Sequence, residues 1–411
     1  MIMLLQEYIT DIAAGPFGSN LKVSCFVEKG FPIIDGANLK GYKVTDNITK
    51  FVTEEKARSL HRSIAKRGDI VVTISGNVGQ ISYIPDDSEY EEYLVSQRQF
   101  RATFDRDRVN VAFLVYYFHT REGQHKILSF ANQVGVPALA QPLKNFKNIS
   151  IELPSKDRQD AIAAYIDNIE DKIAINHRIC ENLEAQAQAL FKHWFIDFAP
   201  FKDGKFVESE FGMIPDEWRV GRADDFYTIN IGKTPPRAER QWFSEQKENN
   251  IIWISISDMG NCSAFISDSK EYITTEAQSR FNVQMVPVGS VLLSFKLTLG
   301  RVAIADAELT TNEAIARFFL PNPDYREYTY LYLKQFKYGS LGSTSSIATA
   351  VNSKIIKAMP FLMPSEDIMK SFSEISGPLF DEIKNLNQET TNLATLRDTL
   401  LPKLMSGQIK L

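Results

Sequence analysis

The sequence has little with which to do chemistry at a thiol, an imidazole or a metal ion. Three cysteines in 411 residues (Cys25, Cys180 and Cys262) are an odd number without CxxC spacing, which excludes a disulfide framework and a thiolate zinc site; they are expected to be packing residues. The five histidines (His61, His119, His125, His177 and His193) form no HExxH or comparable ligand spacing, so no metal site is expected. No apolar run approaches the roughly 18 residues that span a bilayer, and MIMLLQEYIT is too short to serve as a signal peptide. A cytoplasmic location with no membrane contact is expected. An excess of positive charge is also missing: 46 Lys and Arg stand against 51 Asp and Glu, a net charge of -5. That balance is unpromising for a chain that would grip nucleic acid alone, because non-specific affinity comes mainly from neutralised phosphates.

The charge is unevenly spread. Residues 1–150 carry 18 basic and 16 acidic side chains, 151–209 carry 7 and 11, 210–360 carry 16 and 17, and 361–411 carry 5 and 7. The acidity is concentrated in the segments that read as helices below, so a DNA reader built this way would leave much of the phosphate grip to partners. With 44% hydrophobic residues, the chain is long enough for two to four domains with real cores.

The chain repeats one plan twice, a pattern that decides the fold before any local reading. At a shift of 210, GVPALAQPLKNFKNISIELPS and SSIATAVNSKIIKAMPFLMPS match without a gap at Ala138/Ala348, Ala140/Ala350, Lys144/Lys354, Lys147/Lys357 and Ser155/Ser365. Earlier, at a shift of 221, Phe51/Tyr272, Thr53/Thr274, Gly68/Gly289 and Gly79/Gly300 correspond, so the first copy holds about eleven extra residues in between. Residues 69–84 (DIVVTISGNVGQISYI) and 290–305 (SVLLSFKLTLGRVAIA) are β-branched and apolar with a Gly at the turn, which predicts a hairpin in each copy. Each repeated domain reads as a mixed α/β unit around a twisted sheet.

Residues 156–195 and 366–405 differ in kind. Mostly apolar side chains recur there at alternating steps of three and four: Ile166, Ile169, Ile173, Asn176, Cys180, Leu183, Ala187, Leu190 and Trp194, then, 210 residues on, Ser376, Leu379, Ile383, Leu386, Thr390, Leu393, Arg397, Leu400 and Leu404. Each segment would be about 60 Å long as a continuous helix, with Gly377-Pro378 expected to kink or restart the second. Such a stripe is also what a helix buried in its own domain shows. Two stripes of equal length at equivalent places favour an antiparallel coiled coil that holds the domains at opposite ends. Asn176 in the seam would fix register at some cost in stability.

Four motifs add to this plan: GPFGSNLK at 15–22, IIDGANL at 33–39, SEFGMIPDEW at 209–218 and GKTPPR at 232–237. With them the chain resembles, over nearly its whole length, the specificity subunits of type I restriction-modification systems. The resemblance implies an α/β (α+β) fold: two target recognition domains joined by two long helices packed as an antiparallel coiled coil, pseudo-twofold. The domains would occupy 1–155 and 209–365, and the spacer helices 156–208 and 366–411. It further implies that each domain reads half of a split sequence in double-stranded DNA, that the helices set the gap, and that two methyltransferase subunits dock on them. Restriction/translocase subunits would join through the complex. The chain would be no enzyme, with no catalytic residues and no cofactor of its own; S-adenosylmethionine, ATP and magnesium would serve the partners. One departure is that the first domain starts without its own GMIPDEW, so its opening strand is expected to be shortened or supplied differently.

Other chemistry is poorly supported. Asn322-Pro323-Asp324-Tyr325 superficially resembles the motif with which adenine methyltransferases hold a flipped base, but it lacks the second proline and no glycine-rich fingerprint precedes it. A loop between strand and helix accounts for it. Gly76-Asn77-Val78-Gly79 lacks the Lys-Ser or Lys-Thr of a P-loop and reads as a strand turn.

Base edges are read by Arg, Lys, Asn and Gln, and phosphates by Lys, Arg, Ser and Thr. Polar residues of these types near the turns of the first domain are Ser19, Asn20, Lys22, Asn38, Lys40, Asn77, Gln80, Gln97, Arg98, Gln99 and Gln141. In the second they are Lys233, Thr234, Arg237, Ser257, Lys296, Thr298, Arg301 and Asn312. Gln97-Arg98-Gln99 is the densest cluster, and Lys296 and Arg301 flank the turn equivalent to Asn77 and Gln80. Two other functions stand as alternatives: an interaction scaffold whose domains do not read DNA, and a solitary adenine methyltransferase or nuclease, which would bind cofactor as an isolated chain.

Overall fold

The computed structural model describes residues 2–132, 136–341 and 351–409. The chain forms two compact units, Met1–Asp171 with Leu393–Leu411, and Lys172–Asn392. Each therefore takes one of the repeated domains together with part of both long helices.

In the first unit, Ile9–Ala14, Gln99–Phe104, Ile70–Thr73 and Ile81–Tyr83 form a four-stranded antiparallel sheet in that order. Every residue of Ile70–Thr73 and Ile81–Tyr83 is buried, as β-branched strands in a sheet centre should be. The helix Val111–His119, buried along eight consecutive residues, packs into the same core. A second sheet runs Phe26–Val27, Phe51–Val52, Phe31–Ile34, Glu92–Val95 and Ile64–Lys66, with a parallel pair between Phe31–Ile34 and Glu92–Val95.

The second unit repeats this. Thr228–Ile231, Ile315–Phe319, Val291–Ser294 and Val302–Ala305 make the antiparallel sheet, extended by Phe265–Ile266 in parallel. The companion sheet is Phe243–Ser244, Tyr272–Thr274, Asn250–Ile254 and Thr310–Thr311. The two copies share backbone bonds at equivalent places around the hairpin. Thr73 N–H donates to the Gln80 carbonyl at 2.9 Å, and Ser294 N–H to that of Arg301 at 2.9 Å; Gly15 N–H donates to Gln99 at 2.8 Å, and Gly232 to Ile315 at 3.1 Å. Both hairpins of the sequence reading are present. The opening strand of the first domain is there too: Ile2–Leu4 pairs with Ser150–Glu152, as Arg219–Arg222 pairs with Pro360–Met363, one residue shorter. Of the matched repeat positions, Ala348 and Ala350 lie outside the described residues.

The long helices span Lys156–Phe195 and Glu366–Met405, 40 residues each, the limits their periodicity predicts. Within each unit their segments pack antiparallel. In the second unit Asn176 meets Glu389 and Thr390 while Cys180, further along, meets Ile383 and Asn387. In the first, Glu170 meets Arg397 at 2.6 Å and Arg158 lies beside Gly407. Every seam residue of both helices is buried or half-buried. The apolar face is wider than the seam, however: Phe191, Phe195, Phe372 and Phe380 are buried against Tyr328, Tyr330 and Phe265 of the second domain. Each helix is thus both a partner to the other and a core helix of the domain it touches.

The expected restart at Gly377-Pro378 does not occur, and the helix is unbroken. An interior proline costs about 3 kcal/mol, but the turns on either side are anchored by fully buried Phe372, Ser376 and Phe380. The Ser376 hydroxyl donates to the Phe372 carbonyl at 2.7 Å. Among the described residues no helix is long and apolar enough to cross a membrane.

Candidate nucleic-acid interface

In the first unit three loops meet at one end of the central sheet. The turn Ser75–Gln80 closes the hairpin, with Gly76 and Gly79 both at φ 91°, a left-handed conformation that glycine takes without strain. The turn Ser96–Gln99 enters the middle strand, and Ile74 N–H donates to the Arg98 carbonyl at 2.6 Å. The loop after Ile9–Ala14 begins at Gly15, which is obligatory: a Cβ there would lie 1.9 Å from the Ser96 carbonyl oxygen. Two clefts of about 720 and 610 Å³ result, sharing Ser75, Gln97 and Arg98. Asn20 lines the first, and Asn77, Gln80 and Gln99 line the second.

The candidates of this unit therefore divide. Asn20, Asn77, Gln97 and Arg98 are brought together on the rim, the last three around a shared cleft, and Gln97 and Arg98 are exposed. Ser19 and Lys22 are exposed on the adjoining loop, and Gln141, at φ 43°, opens a short helix whose Leu143 lines the first cleft. Gln80 and Gln99 are tied into the sheet. Gln80 bonds Thr73 and the Gly36 carbonyl; Gln99, 2% exposed, accepts from the Ser96 hydroxyl and donates to Thr73. Asn38 is corrected outright: it is 5% exposed and its amide holds its own turn, accepting from Asp35 N–H and donating to the carbonyls of Thr45 and Asn47. Lys40 is exposed beside Gly41, whose carbonyl accepts from Ser82, away from the hairpin turn.

The second unit builds the same rim with other side chains. Gly232 replaces Gly15, with a Cβ position 2.0 Å from the Asn312 carbonyl oxygen, and Lys233 follows, exposed, its N–H bonded to Thr311 at 2.8 Å. The Thr234 hydroxyl donates to Glu313. Burial works against ionisation of Glu313, yet that hydroxyl, its backbone bond and the fields of Lys296 and Arg237 hold its carboxyl below the ordinary range. Lys296 and Thr298 are exposed on the hairpin turn, and Ser257 on a neighbouring helical turn. Three candidates serve the loops instead. Arg237 is sandwiched over Phe243 and Trp253 (4.3 and 4.5 Å) and pairs with Glu271 at 2.6 Å. Arg301 donates to the Ile256 carbonyl at 2.6 Å, and Asn312 accepts from Ala314 N–H at 3.0 Å. Glu313 was missed by sequence reasoning, as were exposed Phe17, Val23 and Leu297; only the position of Glu313, matching Gln97 in the repeat, signals it.

Neither rejected motif acquires a role. Asn322 caps the turn Pro323–Tyr325 between a strand and the helix Arg326–Gln335, and Gly76–Gly79 is the hairpin turn. His177 and His193 are exposed on the first long helix.

Comparison with known proteins gives a consistent picture. The family described as type I restriction modification DNA specificity domain matches twice, at residues 19–185 and 215–393. The chain is 26% identical over 372 residues to the MjaIX type I restriction enzyme specificity subunit of Methanocaldococcus jannaschii, covering 87% of this chain and 82% of that protein. It is 23% identical over 407 residues to the HindI specificity subunit of Haemophilus influenzae, covering 84% and 87%. The crystal structure of the S subunit of a type I system from M. genitalium superposes with a TM-score of 0.55 at 12% identity, over 98% of this chain and 95% of that one.

Proposed function

The chain belongs to the type I restriction-modification DNA specificity family, with two recognition domains, and we propose that these domains read the two unlike halves of a split DNA target. The observation that carries this is the duplicated rim: the same backbone hydrogen bonds present Gln97-Arg98 in one unit and Glu313-Ala314 in the other. Arginine and glutamine match the acceptor and donor edges of guanine and adenine, whereas a carboxylate accepts from the cytosine amino group. The half-sites should therefore differ. The net charge of -5 leaves much of the phosphate grip to partner subunits. Two methyltransferase subunits would dock on the long helices, which set the gap between half-sites. Adenine methylation from S-adenosylmethionine, and restriction driven by ATP with magnesium, would belong to those subunits and to the restriction subunits; this chain would do no chemistry itself.

The test is to replace residues 209–365 with the second domain of another family member and to map methylated adenines in a host carrying the complete system. One half of the methylated sequence should change while the other half and the gap stay fixed. An unchanged sequence, or a contiguous single-part target from the unaltered protein, refutes the reading.

A further inference from the structure

Leu297 stands at the tip of the second unit's hairpin turn with φ 61° and its side chain 101% exposed. The corresponding residue of the first unit is Gly76, at φ 91°; the closing bonds from Thr73 and Ser294 fix the correspondence, as do Gly79 and Gly300 at φ 91° and 90°. A left-handed backbone suits glycine, but at leucine it crowds the Cβ against the chain. Folding returns nothing for that strain, since the side chain is wholly in water. A bulky residue held in this way indicates a use outside the fold.

The surroundings identify the use. Lys296 and Thr298, exposed on either side, can take phosphate or base-edge oxygens, and Glu313 lies within the field of Lys296. An apolar side chain presented by a tight turn among such groups is what DNA-bending proteins push between base pairs. The first unit also carries an exposed apolar side chain on its rim, Phe17 at 84%, in the loop that lines a cleft with Gln97 and Arg98. We propose that Leu297 is a wedge that enters the base stack of the half-site read by the second domain, opening one step and helping to fix register. This rests on the DNA-reading function proposed above.

The test uses the complete methyltransferase complex and its cognate duplex with 2-aminopurine placed in turn at each step of the second half-site. Leu297→Gly relieves the backbone strain, so its thermal stability should equal or exceed that of the unaltered protein, and weaker binding cannot be blamed on misfolding. Leu297→Asn, which also tolerates this conformation, is the second variant. With the unaltered protein, 2-aminopurine fluorescence should rise at one step; with both variants that rise should vanish and affinity should drop about tenfold or more. The salt dependence of binding should stay the same, because no phosphate contact is removed. Equal affinity and an equal fluorescence rise with Leu297→Gly would overturn the wedge while leaving the DNA-reading function intact. Failure of the variants to assemble with the methyltransferase would also overturn it, placing Leu297 at a protein interface. If the unaltered complex binds no split duplex, both proposals fall.

Discussion

The second strand of each central sheet carries an arginine at the same place, and the two arginines live in different electrostatic worlds. Arg101 faces Val71 and Ala13 across the sheet; Arg317 faces Leu292 and Asn230. In the first unit the guanidinium donates to Asp11 at 2.6 Å and stands 4.0 Å from Asp69, which accepts from the Thr103 hydroxyl at 2.6 Å and from Lys66 N–H at 2.9 Å. In the second unit Thr228 and Ser290 occupy the places of Asp11 and Asp69. Among the described residues, Arg317, 2% exposed, finds only the carbonyls of Ile231 and Gln284 and the Gln284 side-chain oxygen. Its Nε has no partner among the described residues, and burial pulls its pKa down to about 10. The backbone plan is thus held in common while charge is solved locally in each copy. The rims obey the same rule, which lets side chains diverge over a fixed scaffold.

The largest expected contrast follows from this. Arg101→Met leaves Asp69 buried without its cation and should cost about 3–5 kcal/mol. Arg317→Met removes a charge that has no counterion among the described residues, so the unmet carbonyls count against it, and the change should stay within about 1–2 kcal/mol. All four tryptophans (Trp194, Trp218, Trp242 and Trp253) lie in the second unit, so their fluorescence during urea unfolding follows that unit, and hydrogen exchange follows the first. Equal losses from the two substitutions would erase the contrast. The shared backbone makes the opposite prediction at Gly15 and Gly232. Alanine at either would meet a carbonyl oxygen at about 2 Å, and each should cost about 2–3 kcal/mol by overpacking. Unequal costs would show that the crossing of the two loops is not truly the same.

Some of this plan was open to reading from sequence, for physical reasons that differ by element. The long helices were legible because forty residues of three-four spacing leave no other regular structure, and the hairpins because β-branched runs enclose a glycine. The companion sheets were not, since strands such as Phe26–Val27 and Phe51–Val52 are too short to show a period. At Gly377-Pro378 the expected restart is absent because a local rule is overridden by burial on both sides. At the rim, Gln97 and Arg98 stood out as neighbours with recognition chemistry. Asn38 and Gln99 looked the same in sequence, because a side chain that completes its own turn is written with the same letters as one that reads a base. Leu297 was invisible: an apolar residue between strands is assumed to point inward, and only its backbone angle and exposure say otherwise.

The smallest expected difference between the units appears in acid. The hydrogen bond from Arg101 holds the Asp11 carboxyl below its usual 3.8, so its contribution is fully present above about that value and is lost as the pH falls through the lower folded value. Asp69 runs the other way. Burial lifts its carboxyl above 3.8, so its ionised form costs stability at neutral pH, and part of that cost is returned as the pH falls toward 3.8. Asp11→Asn removes the first effect and, by taking away the negative charge of Asp11, slightly eases the second. Its side chain is 60% exposed, and solvent screening limits the loss at pH 7 to under about 1 kcal/mol. Protection factors in Ile9–Ala14 and Gln99–Phe104 should fall slightly at pH 7, and the gap from the unaltered protein should narrow at pH values below 3.8, as the carboxyl of the unaltered protein takes up its proton. Thr228–Ile231 and Ile315–Phe319, with Thr228 at the same place, should show no change at either pH. A deficit that does not narrow at all as the pH falls would mean that Asp11 acts through packing, and the electrostatic distinction between the two units would then rest on Asp69 alone.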